Sequence, residues 1–258
     1  MKNILVVICA RAGSKGVTGK NIRNFLSYPI SCYTLSAYDL FCERYSAGYG
    51  NCFLALNTDS PELKEQFSHT SLKHIVIERK ETLAGDRVSK IDVIRDTLAE
   101  AEKITSDEYD IIIDLDITSP LRKAADIKNV IDALLASPSA DISLSLTESR
   151  RNPYFNQLAK QNSGFLTTAI KSDFIARQQA PEVYDANASL YAYRPGYLKN
   201  STGIFLDAKL VGSMMEDTGI LDIDSERDFK LMETVARYLF ETDQEYGEVF
   251  EHINTIYH

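Results

Sequence analysis

The sequence predicts an α/β fold in which a mostly parallel sheet is covered by helices. Three observations carry this. Apolar runs rich in β-branched residues recur at 4–9, 52–56, 74–78, 111–115 and 142–146. Segments of helical period separate them, which is the alternation expected of a parallel sheet with helical crossovers. The first run breaks into a glycine-rich loop, the usual opening of a doubly wound unit.

The elements follow in order. After the run at 4–9, the next helix begins only near Pro29, with Ile30, Tyr33, Ala37 and Leu40 on one face. Ser60-Pro61-Glu62 combines a capping serine, a proline at the first helical position and an acid in the first turn, so a helix starts there. Ile91, Ile94, Leu98 and Ala101 mark a further helical face, and Ile127, Ile131 and Leu134 another. These faces are core. After Ser149 the pattern loosens, punctuated by Asn152-Pro153, Ala180-Pro181 and Arg194-Pro195-Gly196, with short extended pieces at 188–193 and 210–214. The reading is one domain over 1–258 with an inserted segment at about 150–215. Helical period returns at Ser225, which caps a helix carrying Phe229, Met232, Ala236 and Leu239, and a last helix runs over 245–256.

The chain has 258 residues, enough to bury one large core. No apolar run approaches the ~20 residues needed to cross a bilayer, and the start lacks the apolar region of a signal peptide. A cytoplasmic location is therefore expected, with no membrane partner. Cys9, Cys32, Cys42 and Cys52 show no metal-ligand spacing and read as reduced, mostly buried thiols. The formal net charge of −9 argues against nucleic acid as a partner.

Positive charge is instead concentrated in Ala10-Arg11-Ala12-Gly13-Ser14-Lys15-Gly16-Val17-Thr18-Gly19-Lys20-Asn21. Glycines let backbone N–H groups turn inward, and Arg11, Lys15 and Lys20 can neutralise a nucleoside triphosphate. The spacing fits neither a Walker A loop nor a dinucleotide fingerprint. The alternative is an ordinary surface turn.

Three further groups stand out. Asp114, Asp116, Thr118, Ser119 and Arg122 follow a central strand, where open α/β sheets place their ligand crevice, so Asp116 and Arg122 are expected to face it. Asp114 and Asp116 acting only as turn caps is the alternative. Asp222 and Asp224 precede a helix start, and acids so spaced can hold Mg²⁺, although Asp224 or Ser225 could simply cap that helix. Arg177-Gln178-Gln179 and Tyr184 to Tyr191 concentrate guanidinium, amide and phenol groups suited to an acidic sugar, Arg177 pairing with a carboxylate. A hydrogen-bonded hairpin would explain them equally well.

In this order the four groups resemble the CMP-sialic acid synthetase family of cytidylyltransferases over nearly the whole chain. The first loop is similar to that family's Ala-Arg-x-x-Ser-Lys-Gly-x-x-x-Lys-Asn, and Thr118-Ser119-Pro120-Leu121-Arg122 to its Thr-Ser-Pro-Leu-Arg. The resemblance implies a three-layer, Rossmann-like nucleotide-diphosphosugar transferase fold and a homodimer formed partly through the inserted segment. It also implies Mg²⁺-dependent transfer of CMP from CTP to a nonulosonic acid. By the same resemblance Arg11, Gly13, Ser14, Lys15, Lys20 and Asn21 bind the nucleotide, with Arg79 and Ser89 near the cytosine. Asp222 and Asp224 hold the metal, and Arg11, Lys20 and Asp224 are catalytic. Asp116, Ser119, Arg122, Phe155, Arg177, Gln178, Asn187 and Tyr191 would bind the sugar.

Departures narrow the acceptor. Asp116-Ile117 stands where sialate enzymes read Gln-Pro, Asp185-Ala186-Asn187-Ala188 where they read Arg-Pro-Asn-Gly, and Phe155 where they carry a lysine. A phenyl ring in place of a cation disfavours a polyhydroxylated tail and suits a deoxy, acetamido-bearing one. These variants look most like bacterial CMP-legionaminic acid synthetases. The rival acceptors are sialic and octulosonic acids, and the rival class is a CTP-binding module without catalysis.

Overall fold

The computed structural model describes residues 2–13, 16–85, 87–200, 207–218 and 223–258. Strand β1 (Ile4–Cys9) leads through the glycine-rich loop and a 3₁₀ turn (Lys20–Ile22) into a two-residue ribbon of β2 (Asn24–Phe25) and β3 (Tyr28–Pro29). Next come α1 (Ile30–Tyr45), β4 (Cys52–Thr58), α2 (Pro61–Ser68), β5 (Ile75–Glu78) and α3 (Lys90–Thr105). The chain continues through β6 (Ile111–Leu115), α4 (Ala124–Ala136) and β7 (Ile142–Glu148) into a small hairpin of β8 (Leu158–Lys160) and β9 (Leu166–Thr168). It closes with β10 (Tyr184–Tyr193), α5 (Pro195–Asn200), β11 (Leu210–Met214), α6 (Glu226–Thr242) and α7 (Gln244–Ile256).

Seven strands form the central sheet in the order β11-β7-β10-β6-β1-β4-β5. Every pairing is parallel except those of β10, which is antiparallel to both β6 and β7. The alternation of side chains explains why the strands read as continuous apolar runs. Ile4, Val6 and Ile8 of β1 join the core under α1, α4, α6 and α7, whereas Leu5 and Val7 join the core under α3 and α5. The result is three layers. Each fully buried aliphatic side chain contributes roughly 1.5–3 kcal/mol, so β1 anchors both cores.

Helix starts follow local chemistry. Ser60 Oγ accepts from Leu63 N at 3.2 Å, Ser89 Oγ from Ile91 N at 3.3 Å, and Ser225 Oγ from Asp228 N at 3.2 Å. On α6 the buried residues are Phe229, Met232, Ala236 and Leu239, the face expected from the sequence. No helix among the described residues is long and apolar enough to cross a membrane. All four cysteines are free; Cys32 is buried and the others are half-buried.

The segment expected as an insertion over 150–215 needs correction. Within it, β10 occupies the middle of the central sheet and β11 is an edge strand, so both are framework. What projects is the arm of about 149–183 carrying β8 and β9. Neighbour relations between distant strands leave no trace in local periodicity, and a register shift in β10 between Ala186 and Tyr191 further masks its length.

Candidate active site

A cleft of about 330 Å³ opens at the carboxyl ends of the parallel strands, lined among others by Arg11, Lys20, Asn21, Arg79, Lys90 and Asp116. This is the crevice position expected of an open α/β sheet. Four cations and one carboxylate meet there in a chain of formal net charge −9. The cleft is therefore a local well of positive potential, suited to a polyanionic ligand.

The glycine-rich loop supplies its centre. Gly19 adopts a left-handed φ of 62° at the start of the 3₁₀ turn that presents Lys20 and Asn21. Asn21 Nδ2 donates to Arg11 O at 3.0 Å, closing the loop, and Arg11 donates to Ala84 O at 3.2 Å. Ala12 N donates to Asp59 Oδ1 at 2.7 Å. A second hollow of about 200 Å³ continues on the far side of the loop, bounded by Arg11, Gly13, Lys20 and Asn21. Ser14 and Lys15 lie outside the described residues.

The same loop is docked onto the segment before α6. Lys20 Nζ donates to Ile223 O at 2.6 Å and stands 3.9 Å from Asp224 Oδ1. A Cβ on Gly16 would collide with the carbonyl oxygen of Asp224, so this close approach requires glycine. Arg23 grips Glu226 through both carboxylate oxygens and lies over the Phe229 ring at 4.2 Å, pinning the turn to the start of α6. The Asp224 side chain remains 82 % exposed beside Lys20, while Ser225 makes the helix cap. Capping thus falls to Ser225, and the Asp224 carboxylate is left to face solvent. Asp222 lies outside the described residues.

Arg79 enters the cleft after β5. Its guanidinium is nearly buried and donates to Asn57 Oδ1 at 2.8 Å and Asn57 O at 3.1 Å, and burial lowers its pKa. Ser89 instead spends its hydroxyl on capping α3.

The opposite end of the cleft is built by β6. Because successive strand residues alternate, Asp114 shares the face of Ile112 and points at the first turn of α3. Lys90 Nζ sits there, 2.6 Å from Asp114 Oδ2 and 2.8 Å from Asp116 Oδ2. Asp116 Oδ1 accepts from Thr118 N at 2.9 Å and Thr118 Oγ1 at 2.7 Å. Burial would raise the Asp116 carboxyl, but the Lys90 charge and these hydrogen bonds hold it well below the usual carboxylate range. Burial raises Asp114 against the pull of Lys90. For Lys90 itself, burial is outweighed by the two aspartates, which raise its ammonium well above the ordinary value.

Several expected sugar-binding residues are placed elsewhere. Arg122 is 0 % exposed and donates to Asp116 O and Ser119 O, so it shapes the turn from behind and does not face the cleft. Asn187 is buried between Ser145 and the Met215 sulfur, and it bounds a small cavity with Ser119 and Ser189. Tyr191 stacks on Tyr193 in β10, beside Asp114. Phe155, Arg177 and Gln178 lie on the projecting arm, outside the cleft lining. Lys90 was missed in the sequence. Its signal is positional: it is the first residue of α3, where the helix dipole disfavours a cation, so a counter-charge must be near.

Comparison with known proteins agrees with this geometry. The cytidylyltransferase family model matches residues 5–238. Over 241 residues, 92 % of this chain and 96 % of the other, the sequence is 34 % identical to "Post-translational flagellin modification protein B" of Campylobacter coli. It is also 34 % identical to a "CMP-N,N'-diacetyllegionaminic acid synthase" of Campylobacter jejuni subsp. jejuni, over 90 % of this chain and 94 % of that one. Among solved structures, a CMP:2-keto-3-deoxy-manno-octonic acid synthetase complexed with CTP superposes with a TM-score of 0.61 at 14 % identity, covering 92 % of this chain and 99 % of that one, a likeness of fold. With a glycine-rich basic loop and a cationic cleft at the strand ends, and the family match spanning nearly its whole length, this chain belongs to the cytidylyltransferase family of nucleotidyltransferases.

Proposed function

We propose that this enzyme transfers CMP from CTP to the anomeric hydroxyl of a nonulosonic acid, releasing pyrophosphate, and that its acceptor is N,N'-diacetyllegionaminic acid. The observation that carries the reading is the cationic cleft joined to the loop–Asp224 contact, in a chain similar over nine-tenths of its length to a legionaminate-activating relative. The acceptor hydroxyl attacks the α-phosphorus in line; its O–P bond forms as the bond from the α-phosphorus to the α,β-bridging oxygen breaks, the hydroxyl proton passes to solvent water, and pyrophosphate departs with the bridging oxygen and its electron pair. Positioning and charge neutralisation do most of the work in such a step. Arg11 and Lys20 neutralise the triphosphate, with Lys15 of the same loop as a third cation. The cleft spans the ends of β5, β1 and β6, so the base lies toward Arg79 and the acceptor toward Asp116.

The donor chemistry beside the loop fits a hard divalent cation: an exposed carboxylate on Asp224, next to the phosphate-binding lysine, with Asp222 two residues earlier in the sequence. Asp222 and Asp224 would hold Mg²⁺, which when bound polarises the phosphate. Lys20, tied to Ile223 O, keeps the loop and this segment in register. CTP as donor puts the reaction in the cytoplasm. A homodimer through the arm of about 149–183 would cover its exposed Phe165, Leu166 and Ile175 and bring Phe155 and Arg177 to an interface.

The test is pyrophosphate release from CTP and Mg²⁺ with legionaminic, pseudaminic, sialic and octulosonic acids. The expected result is highest kcat/KM with the diacetamido legionaminate. Preference for sialic acid would overturn the acceptor, and CTP binding without turnover on any acceptor would overturn the catalytic reading.

A further inference from the structure

We propose that Lys90 is a positioning residue for the acceptor: clamped between Asp114 and Asp116, it fixes the Asp116 carboxylate as a hydrogen-bond acceptor that reads an N–H or O–H group of the incoming sugar. The inference rests on the function proposed above.

Asp116 is held at every point. Its Oδ2 takes Lys90 Nζ at 2.8 Å and its Oδ1 takes both Thr118 donors, while Arg122 clasps its backbone carbonyl from behind. The clamp also has a deep anchor, because Asp114 is 1 % exposed and meets the same ammonium at 2.6 Å. Lys90 and Asp116 nevertheless both line the cleft. A side chain locked in this way loses little freedom on binding, which is what a recognition group needs.

Charge decides what the clamp recognises. Lys90 in front and the Arg122 guanidinium behind balance Asp114 and Asp116, so Asp116 stays ionised and, carrying no proton to donate, takes a donor group rather than phosphate or the acceptor's own carboxylate. An ionised carboxylate accepts only; Thr118 occupies both lone pairs of Oδ1, and Oδ2 keeps one beyond its bond from Lys90. Position points the same way. Arg11 and Lys20 follow β1 in the middle of the sheet, Arg79 lies on the β5 side, and Asp116 ends β6, next to β10 and Tyr191. The triphosphate belongs to the first two, which leaves the Asp116 end for the sugar. A purely structural ion pair would account for Asp114 but not for placing the cation at the first position of a helix with its partner open to the cleft.

The experiment is steady-state kinetics of Lys90→Met, Lys90→Arg, Asp116→Asn and the Lys90→Met/Asp116→Asn pair, with KM measured separately for CTP and for the preferred acceptor. Lys90→Met should raise the acceptor KM about ten-fold or more, the loss expected for a hydrogen bond to a charged group, and leave the CTP KM within about two-fold. Lys90→Arg should restore most of it. Because both residues act through one carboxylate, the double variant should be no worse than the more damaging single one. A rise in CTP KM equal to that for the acceptor, or an unchanged acceptor KM, overturns the proposal. If Lys90→Met does not fold, Asp116→Asn carries the same decision, since it keeps the shape and removes the charge. A wild-type enzyme silent with every acceptor overturns the function and this inference together, whereas turnover with an unmoved acceptor KM overturns this inference alone.

Discussion

Lys20 shows how one side chain can serve two parts of the molecule. It lines the cleft and donates to Ile223 O, and Gly16 of the same loop abuts Asp224. Lys20→Ala removes a cleft cation, proposed above to neutralise the triphosphate, together with the strut to the aspartate segment. Turnover should fall about a hundred-fold or more, the scale seen when a preorganised electrostatic group is deleted, while the fold persists because the core does not include this residue. Rate measurements paired with calorimetry check this; near-normal turnover would remove the loop from the mechanism. At this scale the sequence was readable for position: Arg11, Lys20 and Asp116, singled out by their spacing, all line the cleft. It was silent where function depends on which residue lies behind which. Arg122 and Asn187 carry groups suited to sugar binding but are buried outside the cleft lining, and Lys90 looks like one more surface lysine until β6 brings two aspartates to it.

Elements were most legible where burial is two-sided. The strands at Ile4–Cys9 and Ile111–Leu115 coincide with the expected bounds, and so does the more exposed edge strand Leu210–Met214. The capped helices after Ser60 and Ser225 also begin where expected. The short β2–β3 and β8–β9 ribbons were not legible, because two- or three-residue strands have no period to read. Helix α4 was found by its apolar face, but its start conceals a strained acid. The Asp126 carboxylate accepts from Lys123 N at 2.8 Å while nearly buried, and burial pushes its pKa up to about 6 against those favourable contacts. The folded state therefore holds this proton more tightly than the unfolded chain from about pH 4 to about pH 6. Over that window the contribution of Asp126 to stability falls as pH rises, by on the order of 3 kcal/mol, and is flat above it. Asparagine keeps an oxygen for the Lys123 N–H without the charge. Asp126→Asn should match the parent near pH 4 and melt higher by pH 7, and parallel melting curves across this range would refute the assignment.

For the whole molecule, the alternation of strands and helices foretold the layers but not the place of β10, which closes the sheet between β6 and β7 and leaves the preceding arm to project. That arm carries the least explained apolar surface: Ile175 is 93 % exposed, Phe165 76 % and Leu166 60 %. Single exposed apolar residues are ordinary, but several on one projection of a molecule with net charge −9 call for a cover. The internal packing of the arm is thin, chiefly the β8–β9 pairing and the Tyr154–Phe174 edge contact, so its apolar side chains gain little from their own fold. A second copy of the arm, as proposed above, would supply the matching surface, because a two-fold interface pairs the same patch with itself. Light scattering should give twice the chain mass for the parent protein, and Phe165→Asp with Ile175→Asp should give the monomer with the melting transition of the central sheet retained. If Phe155 and Arg177 serve the acceptor through that interface, the charged variant should lose acceptor affinity while keeping that for CTP. A parent protein monomeric at micromolar concentration, or a variant that stays dimeric, would place the interface elsewhere and leave the arm without the role proposed for it.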